Sequence, residues 1–287
     1  MELSLSNSIN SILSRNQLFF RTKQLNKDFE IASSGQRINS ASDDAAGTSV
    51  SDGLMNQIRG RETATLAIQN GKSILNIAER SLDISTEHIQ RIRELTLQAA
   101  SDEYSIDERR SILNEVVARV NDLDRIANSA KFSQTTLLDG SASQFRLQVG
   151  IEDDVNLNTI NIGNVLDDAR ASALGFTGGI NFTAAAGGIF ENGTSARTFL
   201  TTIDAALGVV NDRRSQIAAY QNRLDSTLES NLKSIEGYTR SYSSIRDADI
   251  ASVTADITKQ KIMRETALSV LMQSNSNQEI TLSLLTA

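Results

Sequence analysis

Few side chains in this sequence stand where they could do chemistry. Asp43 and Asp44 are adjacent carboxylates, a pair that could divide general acid and general base work, but the surrounding Ser33–Gly47 segment supplies no nucleophile. Set just ahead of a helical pattern, the same two residues place negative charge on the positive end of a helix dipole, and Ser42 before them reads as the N-cap. His88 is the single histidine, so a two-histidine zinc motif cannot be written; we expect it to be an exposed helix residue. With no Cys there is no thiolate nucleophile, thiolate metal site or disulfide. Asn181-Phe182-Thr183 and Asn192-Gly193-Thr194 fit the glycosylation tripeptide, which arises readily by chance where Asn and Thr are this frequent. The sequence points to no catalytic, metal or cofactor site.

The composition narrows the function class further. Across 287 residues, 28 Lys and Arg face 35 Asp and Glu, a formal charge of -7. Nucleic acid and anionic membrane both call for clustered cations, so neither is expected as a partner. No apolar run approaches the roughly 20 residues of a membrane span, and the N-terminus lacks the basic segment and apolar block of a cleaved signal. Sequence alone therefore predicts a cytoplasmic protein. Pro and Trp are absent and aromatics make up 5%, so long unbroken helices are allowed and any core must be built from Ile, Leu, Val and Ala.

The elements that carry these residues are mostly helical. Leu5, Ile9, Ile12 and Phe19 share one face of a helix over about 3–33, a face with no local partner. Gly35 then suits a left-handed helix stop, and the stretch to Gly47 reads as a hinge. From Ala45 to about Ala100 the helical period is unbroken, a rod of roughly 80 Å with Gly60 and Gly71 as points of close helix approach. Ser105-Ile-Asp-Glu108 is a capping box that opens a third helix, ending near Asn128. Beyond residue 130, Phe145, Leu147, Val149 and Ile151 alternate with polar residues, and Val155, Leu157, Ile160 and Ile162 extend the pattern into two or three short hairpin strands. Residues 171–196, rich in Gly, Ala, Thr and Asn, read as an exposed irregular loop. Heptad spacing returns from Arg197 to the mid-240s, and Ile250, Val253, Ile257, Leu268 and Leu271 continue it into a C-terminal helix that ends with Leu284 and Leu285. The fold class is mainly α, a long antiparallel bundle or coiled coil with a small β-hairpin region and paired N- and C-terminal helices. Two terminal helices apolar on one face and lacking neighbours point to polymerisation rather than catalysis.

Ser34-Gly35-x-Arg37-Ile38-Asn39-Ser40-Ala41-x-Asp43-Asp44-Ala45-Ala46-Gly47 resembles the N-terminal signature of bacterial flagellin. Gln90-Arg91-x-Arg93-Glu94-Leu95, the run from Lys131 to Gly150, Gln221-Asn222-Arg223-Leu224, Ile245-Arg246-Asp247-Ala248-Asp249 and the tail are similar to later flagellin segments in the same order. The resemblance implies an inner domain of terminal helices (1–43 and 250–287), an outer helical and hairpin domain (44–170 and 197–249), and a short variable surface loop (171–196). It makes Gly35, Arg37, Asn39, Asp43, Asp44 and Gly47 the hinge, and the terminal apolar residues named above the assembly face.

It also places Gln90, Arg91, Arg93, Glu94, Leu95 and Glu115 on a surface where subunits meet and where the host innate immune receptor for flagellin binds. Without the family, Arg91 and Glu94 are ordinary solvated helix charges. Unfolded export through the flagellar type III apparatus to an extracellular filament is implied, with a chaperone on the C-terminal helix and contacts to hook-associated junction and cap proteins. Many flagellins carry a Pro between Asn275 and Glu279 that this chain lacks, so its last helix has no such stop. Two alternatives stand beside this reading. The hook-filament junction protein shares the terminal helices but carries Pro near the acidic pair, and a soluble coiled-coil binding module would form small oligomers with ordered ends.

Overall fold

With no Pro to interrupt them, the periodic stretches each form one continuous helix. A computed structural model describes the backbone of residues 2–142, 144–176 and 180–286, and the side chains of 9, 11–142, 144–176, 180–277, 279 and 280. In chain order the elements are α1 (Glu2–Ser34), α2 (Ala45–Ala99), α3 (Ile106–Ser129), β1 (Lys131–Phe132), β2 (Thr135–Thr136), β3 (Arg146–Gln148), α4 (Val155–Asn158), β4 (Thr159–Asn161), α5 (Gly193–Arg246) and α6 (Ile250–Thr286). Contacts divide the chain into two compact units, Met1–Ile58 with Glu236–Ala287, and Arg59–Ile235.

In the first unit α1 packs along α6. As expected of a tail without Pro, α6 runs unbroken to Thr286. Ser11 Oγ donates to Asn275 Oδ1 at 3.3 Å, which fixes the pair as antiparallel, since early residues of one helix meet late residues of the other.

The second unit holds the large core. On α2, Ile68, Leu75, Leu82 and Ile89 recur every seven residues; on α5, Ile203, Val210, Ile217 and Leu224 do the same, and all are buried. Leu113, Val116, Val120 and Leu123 of α3 close the seam, and its Ser105 capping box forms as the spacing predicts, with Ser105 N–H donating to Glu108 Oε2 at 2.7 Å. A polar ladder fixes the antiparallel register of α2 and α5. The pairs Lys72–Asp225, Asn76–Gln221, Asp83–Arg214 and Arg93–Asp204 advance along α2 by the same steps by which they recede along α5.

The α5 heptad line reaches Asn231 where the next apolar residue would fall. Buried there, Asn231 Nδ2 donates to Val149 O at 2.9 Å and its Oδ1 accepts from Arg61 Nη1 at 2.9 Å, so this polar core position seats a hairpin on the bundle. The hairpin is β3 paired antiparallel with β4 in the register Arg146↔Asn161, Leu147↔Ile160, Gln148↔Thr159. A second, smaller hairpin joins β1 and β2. The expected strand through Val155 and Leu157 is instead the single turn α4, because Asp154 caps it by accepting from Asn156 N–H at 2.9 Å. Gly60 and Gly71 do mark close approach, but to the hairpin and not to a helix: a Cβ on Gly60 would sit 2.7 Å from Ile151 Cγ2, and one on Gly71 would collide with Leu147 Cδ1.

Residues 171–176 and 180–192 are irregular as expected, whereas 193–196 already belong to α5, and the stretch is packed and not loose. Phe176 and Phe190 are fully buried, and with Phe182 they surround Phe199 of α5 edge-on at 6.0–6.5 Å. Three aromatic side chains outweigh the flexible composition around them. His88 is also less open than expected, half-buried with Nδ1 4.0 Å from Asp122 Oδ2.

Candidate assembly site

The hinge forms because two helix ends leave backbone groups unpaired at the same place. α1 stops at Gly35, whose φ of 68° is the left-handed region that Gly enters without a Cβ penalty; its N–H donates to Ile31 O at 2.9 Å. The next residues then serve the end of α5. Arg37 N–H donates to Arg246 O at 2.7 Å, and Arg37 Nη2 donates to Ile245 O at 2.6 Å. In return Ala248 N–H donates to Gly35 O at 3.0 Å, Gln36 and Asp247 form an antiparallel bridge, and Arg246 Nε donates to Gln36 Oε1 at 3.1 Å. The α1–α2 and α5–α6 joints therefore close on each other.

Asp43 anchors the turn. Its Oδ2 accepts from Asn39 N–H at 3.3 Å, Ser40 N–H at 3.1 Å and Ser40 Oγ at 3.0 Å, while Lys27 Nζ stands 2.9 Å from Oδ1. The Lys27 contact first, then the Ser40 donors, lower its pKa to about 2. A carboxyl so held stays ionised near neutrality and is a structural anion, not a general acid. The N-cap of α2 is Asp44, not Ser42: Asp44 Oδ1 accepts from Gly47 N–H at 2.9 Å, and the Ser42 hydroxyl pairs with Ser40 Oγ at 2.7 Å instead. Gly47 is required by crowding, since a Cβ there would lie 2.5 Å from Asp44 Oδ2 and 2.6 Å from the buried Ile38 Cδ1. The six residues expected to form the hinge thus lie between the end of α1 and the first turn of α2, each within a hydrogen-bonded or crowded position of that joint.

The α1–α6 pair uses a different face from the one the sequence stripe marks. On α6 the less exposed positions Val253, Ile257, Gln260, Arg264, Ala267, Leu271 and Ser274 step alternately by four and three, with Met263 beside them. On α1 they are Ser11, Ser14, Leu18, Thr22, Leu25 and Asp28, followed by Ile31 and Ala32 near its end. At 100° per residue this α1 seam lies nearly opposite Ile9, Ile12 and Phe19, which are 53%, 53% and 65% exposed, and Leu13 and Phe20 widen the outward apolar surface. On α6, Ile250 and Leu268 also face outward, with Ile262, Val270 and Met272. Of the terminal residues expected to assemble, then, Val253, Ile257 and Leu271 hold the pair together, while Ile9, Ile12, Phe19, Ile250 and Leu268 are left uncovered. Leu5, Leu284 and Leu285 lie outside the residues whose side chains are described.

The charged segment of the second unit is partly brought together. Arg91 bridges Glu94 at 2.9 Å on its own helix and Glu115 of α3 at 3.3 Å, and both carboxylates raise its pKa further above the usual guanidinium range. Gln90 is exposed beside it. Arg93 turns instead toward Asp204 of α5, at 2.8 Å, and Leu95 is buried in the core, so neither shares a surface with Arg91. Among the described residues, no helix is long and apolar enough to cross a membrane.

Comparison with known proteins accords with this arrangement. The family described as "Bacterial flagellin N-terminal helical region" matches residues 5–143, and "Bacterial flagellin C-terminal helical region" matches 200–285. Flagellin FlaB2 of Treponema pallidum is 34% identical over 291 residues, covering 98% of this chain and 99% of its own length. Flagellin of Bacillus subtilis is 30% identical over 305 residues, covering 99% and 100%. A solved flagellar hook-associated protein from Vibrio parahaemolyticus shares the fold, with a TM-score of 0.59 at 16% identity over 71% of this chain and all of its own.

Proposed function

The chain belongs to the bacterial flagellin family, and from that premise we propose that its work is to polymerise, as a structural subunit, into an extracellular flagellar filament serving motility. The observation that carries this is the outward apolar face of α1, with Ile9, Ile12 and Phe19 uncovered on a helix whose opposite face is already paired. A monomer gains nothing from keeping those side chains in water. Copies that stack these faces bury them, and the hydrophobic effect then favours the polymer. The likeness to the hook-associated protein is one of fold, whereas the family match is one of sequence along nearly the whole chain, so the filament subunit is the better reading.

In this reading 1–43 and 250–287 form the inner domain, 44–170 and 197–249 the outer one, and 171–196 is a short variable surface segment. Further partners follow from the family. An export chaperone would cover the apolar side of α6 before unfolded passage through the flagellar type III apparatus, and junction and cap proteins would meet the two filament ends. Gln90, Arg91, Glu94 and Glu115 are the residues left outward for a neighbouring subunit or a host innate receptor.

Seeded polymerisation tests the proposal. Full-length protein should pellet and show filaments in negative stain, and protein lacking 1–35 and 255–287 should do neither. Discrete small oligomers from both would overturn it in favour of a soluble coiled-coil module.

A further inference from the structure

The most exposed large apolar side chain among the described residues is not on a terminal helix. It is Leu157, 77% exposed, on the tip that joins β3 to β4, with Val155 beside it. This tip is held firmly. Val149 N–H and Gly150 N–H both donate to Asn158 O, at 2.8 and 3.2 Å, Asn158 N–H donates to Asp154 O at 2.9 Å, and Gln148 Nε2 donates to Gly150 O and Glu152 O at 3.0 and 3.1 Å. Below it Ile151 rests on Gly60 and Leu147 on Gly71. The result is a preorganised knob that combines two apolar side chains with three exposed carboxylates, Glu152, Asp153 and Asp154.

A complementary face lies on α2. Leu66 and Ile84 are 61% and 46% exposed, five turns apart on one line of the helix, on the side away from the α5 ladder, with Ile77 between them half-buried against the core. Arg59 and Arg80 fall on the same side, exposed and in no ion pair among the described residues, against Glu62 as the one carboxylate between Arg59 and Ile84 there. The knob cannot reach the far end of this face within its own chain. It is pinned at Gly60, and the 24 residues from Gly60 to Ile84 span about 36 Å of helix.

We propose that the Val155–Leu157 tip of one copy docks at the Arg80–Ile84 end of this α2 face in a second copy, with the acidic tip set against Arg80. The two surfaces are different patches of one chain, so the contact is head-to-tail and not that of a two-fold dimer; within the polymerisation reading it repeats along a filament. The inference rests on the polymerisation reading and names a contact for it outside the terminal helices.

The absence of native Cys makes the test direct. Full-length protein carrying Leu157→Cys and Ile84→Cys is polymerised on wild-type seeds and treated with a short bismaleimide. A ladder of covalent multimers from filaments, and none from monomer at the same concentration, is the expected result. Filaments that form normally and give no ladder, although both Cys react with a monofunctional maleimide, overturn the docking while leaving polymerisation intact. Failure of the wild-type chain itself to polymerise overturns both. A charge exchange gives an independent check should the Cys variant fold poorly. Glu152→Lys with Asp153→Lys should raise the critical concentration at least tenfold, and adding Arg80→Glu should recover part of it. No rise, or no recovery, contradicts the pairing.

Discussion

Replacing Ile12 and Phe19 by Gln separates assembly from folding. Both side chains are outward on α1 and already hide roughly half of themselves, at 53% and 65% exposure. Full burial of such a side chain contributes about 1.5–3 kcal/mol, so the half still available amounts to about 2–4 kcal/mol per subunit for the two together. At about 1.4 kcal/mol per factor of ten, the critical concentration for polymerisation should rise between roughly thirtyfold and several hundredfold. Gln keeps a good helix former in place, so the unfolding free energy of the monomer should move by no more than about 0.5 kcal/mol. The assay is sedimentation of seeded polymer across a concentration series, beside thermal unfolding of the same samples. Wild-type critical concentration in a variant that folds normally would refute the reasoning, because the outward face would then not be what copies bury.

Three further expectations concern the scaffold. The Asp43 carboxyl, followed by its 13C shift, should titrate with a midpoint near 2 and not near the ordinary 3.8, and Lys27→Met should move the midpoint up. Because its folded pKa is lowered, the anchor's contribution is whole above about pH 4 and is lost as pH falls toward 2, so the hinge should loosen only in that acid window. Gly71→Ala should destabilise the second unit by about 1–3 kcal/mol through collision with Leu147, and pairing it with Leu147→Ala should give less than the sum of the two single losses in a double-mutant cycle. Ser105→Ala removes the acceptor for Glu108 N–H and should cost about 1 kcal/mol in chemical denaturation.

Much of this architecture is legible in the sequence because helix periodicity is a local signal. The five long helices, the left-handed stop at Gly35 and the Ser105 box all depend on residues within one or two turns of each other. What the sequence concealed depends on partners far along the chain. Gly60 and Gly71 announce close approach, but only the fold shows that a hairpin more than seventy residues later fills the space. Asp44 rather than Ser42 caps α2 because Ser40 and Asp43 draw the chain into a tighter turn, leaving Ser42 bonded to Ser40. Phe176, Phe182 and Phe190 were visible as aromatics in a Gly-rich stretch, and reading them as a small core would have required weighing side-chain size above loop composition. Leu95 shows the same limit at the candidate surface. Its neighbours Arg91 and Glu94 are outward, and its own position on the helix turns it into the core.

The terminal helices teach the converse. Of the stripe Leu5–Ile9–Ile12–Phe19, the last three are exposed apolar side chains on one face, yet within the chain α1 pairs with α6 through a plainer seam of Ser14, Leu18, Thr22 and Leu25. The stronger face is the one the α1–α6 pair leaves unused.

A helical reconstruction of seeded filaments by electron cryomicroscopy would test that point most directly. The account predicts filaments in which Ile9, Ile12 and Phe19 of each copy are buried against terminal helices of its neighbours. Filaments that leave these three side chains in solvent would contradict it.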